Sequence, residues 1–223
     1  MKKRNLVISV ILILLAIIFT ILVKNVDVNT LGANGSNIGF STLNRSVFDN
    51  IGVNMTWYNI TNCLGIISII IALAYVLIGL IQLVKRKNVF KVDKEIIALG
   101  IFYVILAALY IAFEIFIVNY RPILMDGELE ASYPSSHTML TIFICGSAIL
   151  INSKLFKDNK IAKITNVVAL IIMIVTVIGR LLSGVHWFTD ILGGIIIASA
   201  LLMSYYTVLD YLATNKTNIT ENE

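Results

Sequence analysis

Three kinds of residue are scarce in this 223-residue chain, which contains two cysteines, two prolines and two histidines. No C-x-x-C pair or Cys/His cluster occurs, so the sequence supports neither a disulfide framework nor a zinc site. We expect Cys63 and Cys145, each inside an apolar run, to be small buried residues. Charged residues make up only 13% of the chain, about half their share in soluble domains.

Apolar sequence is what the chain has in excess, since 58% of its residues are hydrophobic and the mean hydropathy is +0.91. A helix needs about 20 mostly apolar residues to cross a bilayer. Six runs reach or approach that length, and they are Leu6–Val23, Cys63–Val84, Ile96–Val118, Thr138–Ile151, Ile164–Leu182 and Phe188–Leu209. The sequence therefore predicts an all-α protein, a polytopic membrane bundle of six transmembrane helices.

Lysine and arginine are distributed unevenly among the segments between these runs. The N-terminus, residues 85–94, residues 153–163 and the C-terminal tail hold thirteen of the seventeen basic residues. Cytoplasmic segments are enriched in such residues, so we expect both termini in the cytoplasm and the loops 24–62, 119–137 and 183–187 outside. The net charge of +4 then reflects the topology of a multi-pass cell-membrane protein, and a nucleic-acid partner is not expected.

The chain divides by composition into three parts. Residues 1–62 hold the first span and a long outer loop, residues 63–211 a core of five helices, and residues 212–223 a polar cytoplasmic tail. The basic residues before the first span resemble those of a signal peptide, but its length and the lack of an A-x-A site favour a retained anchor. In the outer loop, the semi-periodic residues 40–51 predict either a short interfacial helix or an irregular loop packed on the bundle.

Five ionisable residues lie at the outer ends of the predicted spans: Arg121, His137, Arg180, His186 and Asp190. Ionisable side chains at such depth are energetically expensive and are usually functional. Arginine suits phosphate because its fork of donors matches the oxygens, although each arginine alone is also explained by snorkelling to headgroups. The combination indicates a pocket for a phosphate monoester or diphosphate, with one histidine to attack and one to donate a proton.

The segment Pro134–His137 opens the fourth span. A serine there suits a helix N-cap, and the first N–H groups and positive dipole end of the helix form a cradle for an anion. For the serines alone a plain cap explains the pattern. Capping does not require the histidine, however, and this favours the functional interpretation.

His186 and Asp190 are four residues apart, so a helix would place them on one face. Asp190 would then accept the Nδ1–H of His186 and leave Nε2 as a lone pair directed outward. A structural ion pair that fixes the start of the helix explains the same spacing.

The loop before the fourth span carries three acids, Asp126, Glu128 and Glu130. Carboxylates and water are the usual ligands of magnesium, but no D-x-D-x-D spacing is present. We expect solvated loop charges and no metal, because the two arginines already supply positive charge.

With these motifs in place, the sequence resembles the type 2 phosphatidic acid phosphatase family of integral membrane phosphatases. Arg121–Pro122 matches the end of the family's first motif, and Pro134–His137 matches Pro-Ser-Gly-His with Ser136 in place of glycine. Residues 180–190 keep the Arg, His and Asp spacing of the third motif, with Gly179 where serine is usual. The resemblance covers roughly residues 60–210 and implies a six-span fold with the motifs in outer loops.

The resemblance implies a role for each site residue. His186 would attack phosphorus and form a phosphohistidine, Asp190 would orient it, and His137 would protonate the leaving group and then activate water. The phosphoryl oxygens would be neutralised by four residues, namely Arg121, Arg180, Ser135 and, through nearby backbone N–H groups, Ser136. No cofactor is implied.

One residue departs from the family pattern. The family lysine seven positions before Arg121 is Glu114 here. Glu114 would either share a helix face with Arg121 and orient it, or repel an anionic substrate.

The function expected from the resemblance is hydrolysis of a lipid phosphate at the outer leaflet. Polyprenyl diphosphate, phosphatidic acid and phosphatidylglycerol phosphate are candidate substrates, and the sequence does not choose among them. Two alternatives stay open, a phosphotransferase in which a hydroxyl intercepts the phosphohistidine, and a non-catalytic lipid-phosphate binder or transporter, which Glu114 favours.

Overall fold

The structure is a computed structural model that describes residues 3–156 and 159–220, with the backbone alone for residues 215–220. Within these residues the chain forms seven α-helices. They are α1 (Lys3–Asn25), α2 (Ser41–Ile51), α3 (Met55–Arg86), α4 (Lys94–Ile115), α5 (Ser136–Leu155), α6 (Lys160–Ser183) and α7 (Phe188–Thr220). Short 3-10 turns lie at Ala33–Gly35 and Val89–Lys91.

Every helix except α2 is long and apolar enough to cross a membrane, which gives six spans among the described residues. The predicted all-α bundle of six membrane helices is confirmed. Most helix ends lie within four residues of the predicted bounds, and α4 ends at Ile115, three residues before the predicted Val118. Two ends do not: α3 begins at Met55, well before the predicted Cys63, and α7 continues to Thr220, well beyond the predicted Leu209. The basic segments lie at one end of the bundle and the phosphate-binding motifs at the other, while the orientation in the membrane stays a prediction.

The outer loop contains regular structure at both of its ends. Residues 41–51 form the amphipathic helix α2, the first of the two alternatives for this segment. Helix α3 begins at Met55, where the Asn54 side chain accepts hydrogen bonds from the N–H groups of Thr56 and Trp57. The predicted boundary between residues 62 and 63 therefore falls inside α3, and the predicted boundary between residues 211 and 212 falls inside α7. The last residues of the predicted tail, 221–223, lie outside the described residues.

Helix α5 lies at the centre of the bundle. Of its apolar window 61% is buried, against 11% for α1 and for α3, because α3, α4, α6 and α7 all pack on it. Aromatic rings from α4, α5 and α7 fill the core, with Phe102 stacked on Phe143 and edge-on to Tyr205. Cys145 is buried in the bundle, as expected, but Cys63 is exposed, because it lies on the outward face of α3.

Polar side chains inside the bundle are paired between helices. Tyr75 Oη donates to Asn152 Oδ1 over 2.6 Å, and Asn152 in turn donates to Asn166 over 2.9 Å. The hydroxyls of Ser9 and Thr207 lie 2.9 Å apart and join α1 to α7. Such pairing keeps polar groups satisfied where no water is present, and it fixes α1 as part of the bundle.

The turn from α6 to α7 is held against the outer loop. Gly184 ends α6 with φ 65, in the left-handed region that favours glycine, and it packs on the carbonyl of Gly52 so closely that a Cβ would not fit. The N–H of Asn54 donates to the carbonyl of Ser183 over 3.0 Å. This contact places the segment that carries His186 at the mouth of the bundle.

Candidate active site

A cleft opens at the end of the bundle where α4 and α6 end and α5 and α7 begin. Its lining residues are Tyr110, Phe113, Glu114, Arg121, Ala131, Ser132, Tyr133, Pro134, Ser136, Met139 and His186. Three of the predicted site residues, Arg121, Ser136 and His186, are therefore part of the wall.

The imidazole of His186 is almost fully buried and is held at both nitrogens. Nδ1 lies 3.1 Å from the backbone carbonyl of Ser132, which can only accept, so Nδ1 carries the hydrogen. Nε2 lies 3.4 Å from Nη1 of Arg121, which can only donate. These contacts select the tautomer that was expected, with a lone pair on Nε2 at the cleft.

Burial lowers the pKa of His186 well below its ordinary value of 6.5. The positive charges of Arg121 and Arg180 and the neighbouring His137 lower this pKa further, and the hydrogen bond to Ser132 opposes them. His186 is therefore neutral at physiological pH, which is the form a nucleophile requires.

Asp190 does not accept directly from His186, contrary to the expectation from their spacing. Its Oδ2 lies 3.9 Å from Nδ1, and the hydroxyl of Ser132 stands between, donating to Oδ2 and lying 3.1 Å from Nδ1. The physical reason is that α7 begins only at Phe188, so His186 precedes the helix and Oδ2 instead accepts the N–H of Trp187 over 2.9 Å. Asp190 thus acts on His186 through Ser132.

Arg121 lies in the loop between α4 and α5, which folds back on itself. The backbone N–H of Arg121 donates to the carbonyl of Glu130, and Nε of Arg121 forms an ion pair with Oε2 of Glu130 at 2.9 Å. Glu130 was expected as a solvated loop charge; its side chain is 47% exposed, and it also forms this ion pair, which was not expected. Nη1 of Arg121 remains directed toward His186.

Arg180 is fully buried at the end of α6. Its Nη2 donates to Oδ1 of Asn62, and its Cζ lies 5.0 Å from the centre of the Tyr58 ring. Within residues 3–156 and 159–220, the remaining donors Nε and Nη1 have no hydrogen-bond partner. Arg180 therefore presents a buried positive charge with unused donors close to both histidines.

The N-terminus of α5 meets the cleft at its first residue, Ser136. His137 follows one residue later, and its buried Nδ1 has no hydrogen-bond partner in the described part of the chain. Ser135 differs from the expectation, since its buried hydroxyl accepts from Thr138 over 3.0 Å and makes no cap bond to the backbone. Its N–H donates to the carbonyl of Asp190, so Ser135 ties α5 to α7 and does not line the cleft.

Glu114 lines the cleft, but it does not share a helix with Arg121. Helix α4 ends at Ile115, one residue after Glu114, so the seven-residue spacing to Arg121 does not continue as a helix. The expectation of a common helix face is therefore wrong. The second expectation, an acid facing the anion site, stays a prediction.

Several polar residues of the site carry no motif and were not predicted. Asn119 donates to Oδ1 of Asp190 over 3.4 Å and accepts from the N–H of Gly39, which joins the outer loop to the site. Asn44 of α2 exchanges hydrogen bonds with Thr189 at the start of α7. Asn119 lies two residues before Arg121, and Ser132 lies two residues before Pro134. A polar residue just before a motif is the sequence signal by which both could have been found.

Comparison with known proteins supports the resemblance. Residues 112–213, a little under half of the chain, match the family model described as the PAP2 superfamily. The match contains Arg121, His137, Arg180, His186 and Asp190, and it supports phosphatase activity for the chain. A comparison with curated proteins finds no match.

One solved structure with a similar fold is described as the crystal structure of the first transmembrane PAP2 type phosphatidylglycerolphosphate phosphatase from Bacillus subtilis. The two chains are 20% identical, with a TM-score of 0.59 over 92% of this chain and 96% of the other. Because the likeness covers 92% of this chain, it extends well beyond the matched residues 112–213.

Proposed function

We propose that the protein is a metal-independent membrane phosphatase that hydrolyses a lipid phosphate or diphosphate through a phosphohistidine on His186. The observation that carries the proposal is the lone pair on Nε2 of His186, which lies 3.4 Å from Nη1 of Arg121 and within the electrostatic influence of Arg180. Phosphoryl transfer requires mainly positioning and charge stabilisation, and a neutral histidine with two nearby arginines supplies both.

In the first step Nε2 of His186 attacks phosphorus and the N–P bond forms as the bond to the lipid oxygen breaks. The departing oxygen takes a proton from His137, which is close enough to influence the pKa of His186. General-acid help of this kind contributes about 10²–10⁴ in rate. The positive charge on the imidazole is stabilised through Nδ1, Ser132 and Asp190.

In the second step water attacks the phosphohistidine and the N–P bond breaks, which restores the lone pair on Nε2. His137, now neutral, takes the proton from that water. Inorganic phosphate leaves, and the enzyme returns to its starting protonation state. Two easier displacements thereby replace one difficult displacement.

An apolar groove supports a substrate with a hydrocarbon tail. The groove of about 610 Å³ lies between α1, α4 and α7, and its wall includes Phe113, which also lines the cleft. Thr20 at the same end of the groove hydrogen-bonds the hydroxyl of Tyr133, another cleft residue, over 2.8 Å. A tail in the groove would place its phosphate at His186.

The groove can be tested by filling it. Ala200→Phe should lower kcat/KM for a long-chain lipid phosphate and leave a short-chain analogue unaffected. Ala74→Phe adds the same bulk in a separate apolar groove on the α3 side of the bundle and serves as the control. Equal loss on both substrates would contradict a tail site in the groove.

The catalytic test measures release of inorganic phosphate by the purified protein from polyprenyl diphosphate, phosphatidic acid and phosphatidylglycerol phosphate. We expect turnover that a chelator leaves intact and that His186→Ala abolishes. With a substrate whose leaving group needs no proton, His137→Ala should still form the phosphohistidine. That acid-labile phosphoprotein should accumulate, because His137 is no longer present to activate the water of the second step. Activity lost with chelator and restored by magnesium would overturn the metal-free mechanism.

The same assay separates the alternatives. Transfer of labelled phosphate to an added lipid or sugar hydroxyl, with little free phosphate, would indicate a phosphotransferase. Saturable binding of lipid phosphate without any turnover would indicate a binder or transporter, for which the acid at Glu114 in the cleft is the specific argument.

We also propose that the cleft faces the outer side of the cell membrane. The support is the excess of basic residues at the opposite end of the bundle. The test uses a protein without its native cysteines, carrying Cys63→Ser and Cys145→Ala. In that background the cysteine of Gly127→Cys should react with an impermeant maleimide in intact cells. The cysteine of Lys87→Cys should react only after the cells are opened. Labelling of Lys87→Cys but not of Gly127→Cys in intact cells would contradict the proposed orientation.

A further inference from the structure

Helix α3 contributes nothing to the three sequence motifs, yet one of its faces lies against two of the site residues. Tyr58, Asn62 and Gly65 follow the i, i+4, i+7 spacing that places residues on one side of a helix. Tyr58 and Asn62 contact Arg180, and Gly65 faces His137. We name these three residues the α3 stripe.

Asn62 and Tyr58 fix the guanidinium group of Arg180 in two different ways. Oδ1 of Asn62 accepts from Nη2, which fixes one corner of the fork, and the Tyr58 ring covers the Cζ of Arg180 at 5.0 Å. A planar group held at one corner and one face has a defined orientation. The other donors, Nε and Nη1, therefore point in a fixed direction.

Those two donors are available to a ligand. Nε and Nη1 are buried and have no hydrogen-bond partner among the residues that the structure describes, whereas buried donors in native proteins are nearly always paired. A purely structural arginine would satisfy them with neighbouring carbonyls or carboxylates. A phosphoryl group, with several oxygens and negative charge, is the ligand chemistry that fits.

The partner of Arg180 is a neutral amide, and this affects the charge of the site. A carboxylate at position 62 would hold the guanidinium group as firmly and would cancel its charge. Asn62 holds it by one neutral acceptor and leaves the positive charge available to an anion. Arg121, in contrast, has the carboxylate of Glu130 at 2.9 Å.

Gly65 acts on the second residue, His137. A Cβ at position 65 would lie 2.7 Å from Cδ2 and 3.1 Å from Nε2 of the imidazole, so any other residue would displace the ring. Gly179 has the same relation to α3, since its Cβ would lie 2.6 Å from Cγ2 of Thr61. The absence of side chains at both positions lets α3 approach Arg180 and His137 closely.

We propose that the α3 stripe positions Arg180 and His137 for the phosphoryl group, with Asn62 as the main positioning residue. The inference rests on the proposed function and goes beyond the matched residues 112–213, which do not include α3. It adds α3 to the four helices, α4 to α7, whose ends surround the cleft.

Asn62→Leu keeps the size of the side chain and removes the acceptor. Hydrogen bonds to charged groups are worth about 1.5–3 kcal/mol, so kcat/KM and the affinity for inorganic phosphate should each fall about 10-fold to 100-fold. Asn59→Leu makes the same change at an exposed position of α3 and should leave both unchanged. Unchanged phosphate affinity in Asn62→Leu, with the protein folded, would overturn the proposal.

A double-mutant cycle separates positioning from a general structural effect. If Asn62 acts through Arg180, Asn62→Leu should have little further effect on phosphate affinity in an Arg180→Ala background. Additive losses would overturn the proposal. Should Asn62→Leu not fold, Tyr58→Leu removes the aromatic face alone and should weaken phosphate affinity about 2-fold to 30-fold, and no change there would overturn it equally.

Gly65→Ala tests the contact with His137. We expect kcat to fall about 10-fold or more while phosphate affinity changes little, because the proton donor moves and the anion site does not. Gly100→Ala adds the same methyl group into open space on α4 and is the control. Equal activity in the two glycine variants would contradict the role of Gly65.

The binding measurements also separate this inference from the proposed function. They use inorganic phosphate as the probe, so they report on Arg180 even if the wild-type protein releases no phosphate from any lipid. A wild-type protein that binds phosphate through Asn62 and Arg180 but has no turnover would contradict the proposed function and leave this inference intact. Turnover that the variants of the α3 stripe leave unchanged would contradict this inference and leave the proposed function intact.

Discussion

The two sides of the cleft hold their arginines by opposite means. On the loop side, residues 119–132, Arg121 forms an ion pair with Glu130, whose side chain is 47% exposed. On the helix side, where α3 packs on α6, Arg180 is fully buried with a neutral partner and two unused donors. One arginine is thus partly neutralised near solvent, and the other is charged and shielded from it.

The comparison shows how burial and pairing of an arginine affect the strength of an anion site. Glu130 is half exposed, so water weakens its ion pair with the largely buried Arg121, and a better anion can displace it. A buried arginine acts in a low-dielectric environment and needs no reorganisation when the ligand binds. We therefore expect Arg180 to contribute more to transition-state stabilisation than Arg121.

The largest expected effect comes from removing each arginine in turn. Arg180→Ala should lower kcat by about 10²–10³, as for a preorganised donor at a developing charge. Arg121→Ala should lower kcat/KM by about 10-fold, since part of its charge is already used by Glu130. Phosphate release by the purified variants is the measurement, and equal losses would remove the distinction between the two sides.

Arg180→Lys sharpens the same comparison. Lysine keeps the charge but lacks the planar fork, so the contact with Asn62 and the direction of the remaining donors are both lost. We expect Arg180→Lys to retain much less activity than Arg121→Lys. If the two lysine variants behave alike, charge alone matters at position 180.

The fold was largely predictable from the sequence because a bilayer imposes one strong requirement, about 20 apolar residues for each span. All six spans followed from that rule. The start of α3 at Met55 did not, because residues 55–62 are polar and aromatic and continue the helix beyond the apolar run. The Asn54 cap sets that boundary, and hydropathy does not report caps.

The site was predictable where residue spacing fixes chemistry and not where packing does. The three motifs led to the arginines, the histidines and Asp190. The contact of Ser132 with both His186 and Asp190 depends on how a loop folds back, and the contact of Asn62 with Arg180 depends on the α3–α6 crossing. Neither contact leaves a periodic pattern in the sequence.

The next largest effect concerns Glu114 at the rim of the cleft. Glu114→Lys replaces an acid with a cation at a position that lines the anion site, so KM for an anionic substrate should fall by about 10-fold at low salt. Raising the ionic strength should reduce the gain. Glu128→Lys makes the same charge change in the neighbouring loop and is the control. Equal gains in the two variants would show that net charge, and not the position of Glu114, is responsible.

A smaller change is expected from Glu130→Gln on the loop side. Loss of the carboxylate frees Arg121 for phosphate but also loosens the loop, so KM should change by less than about 5-fold. Asp49→Asn breaks an exposed ion pair with Arg45 on α2, neither of which lines the cleft, and should have no effect. A loss of 100-fold or more in Glu130→Gln would mean that the loop side is as preorganised as the helix side.

The smallest effect is the pH dependence of stability that His186 introduces between the two sides. Burial and the charges of Arg121, Arg180 and His137 lower the pKa of His186 in the folded protein well below 6.5, so below pH 6.5 the unfolded chain binds a proton that the folded protein does not. Stability should therefore fall as the pH falls below 6.5, by at most about 1.4 kcal/mol per pH unit from this residue. His186→Gln should flatten that part of the curve, measured as the melting temperature in detergent without phosphate from pH 7.5 to 5. Arg121 lowers the pKa of His186 more than Arg180 does, so Arg121→Gln should also flatten the curve, and more than Arg180→Gln does. The opposite order would mean that Glu130 cancels most of the charge that Arg121 presents to His186.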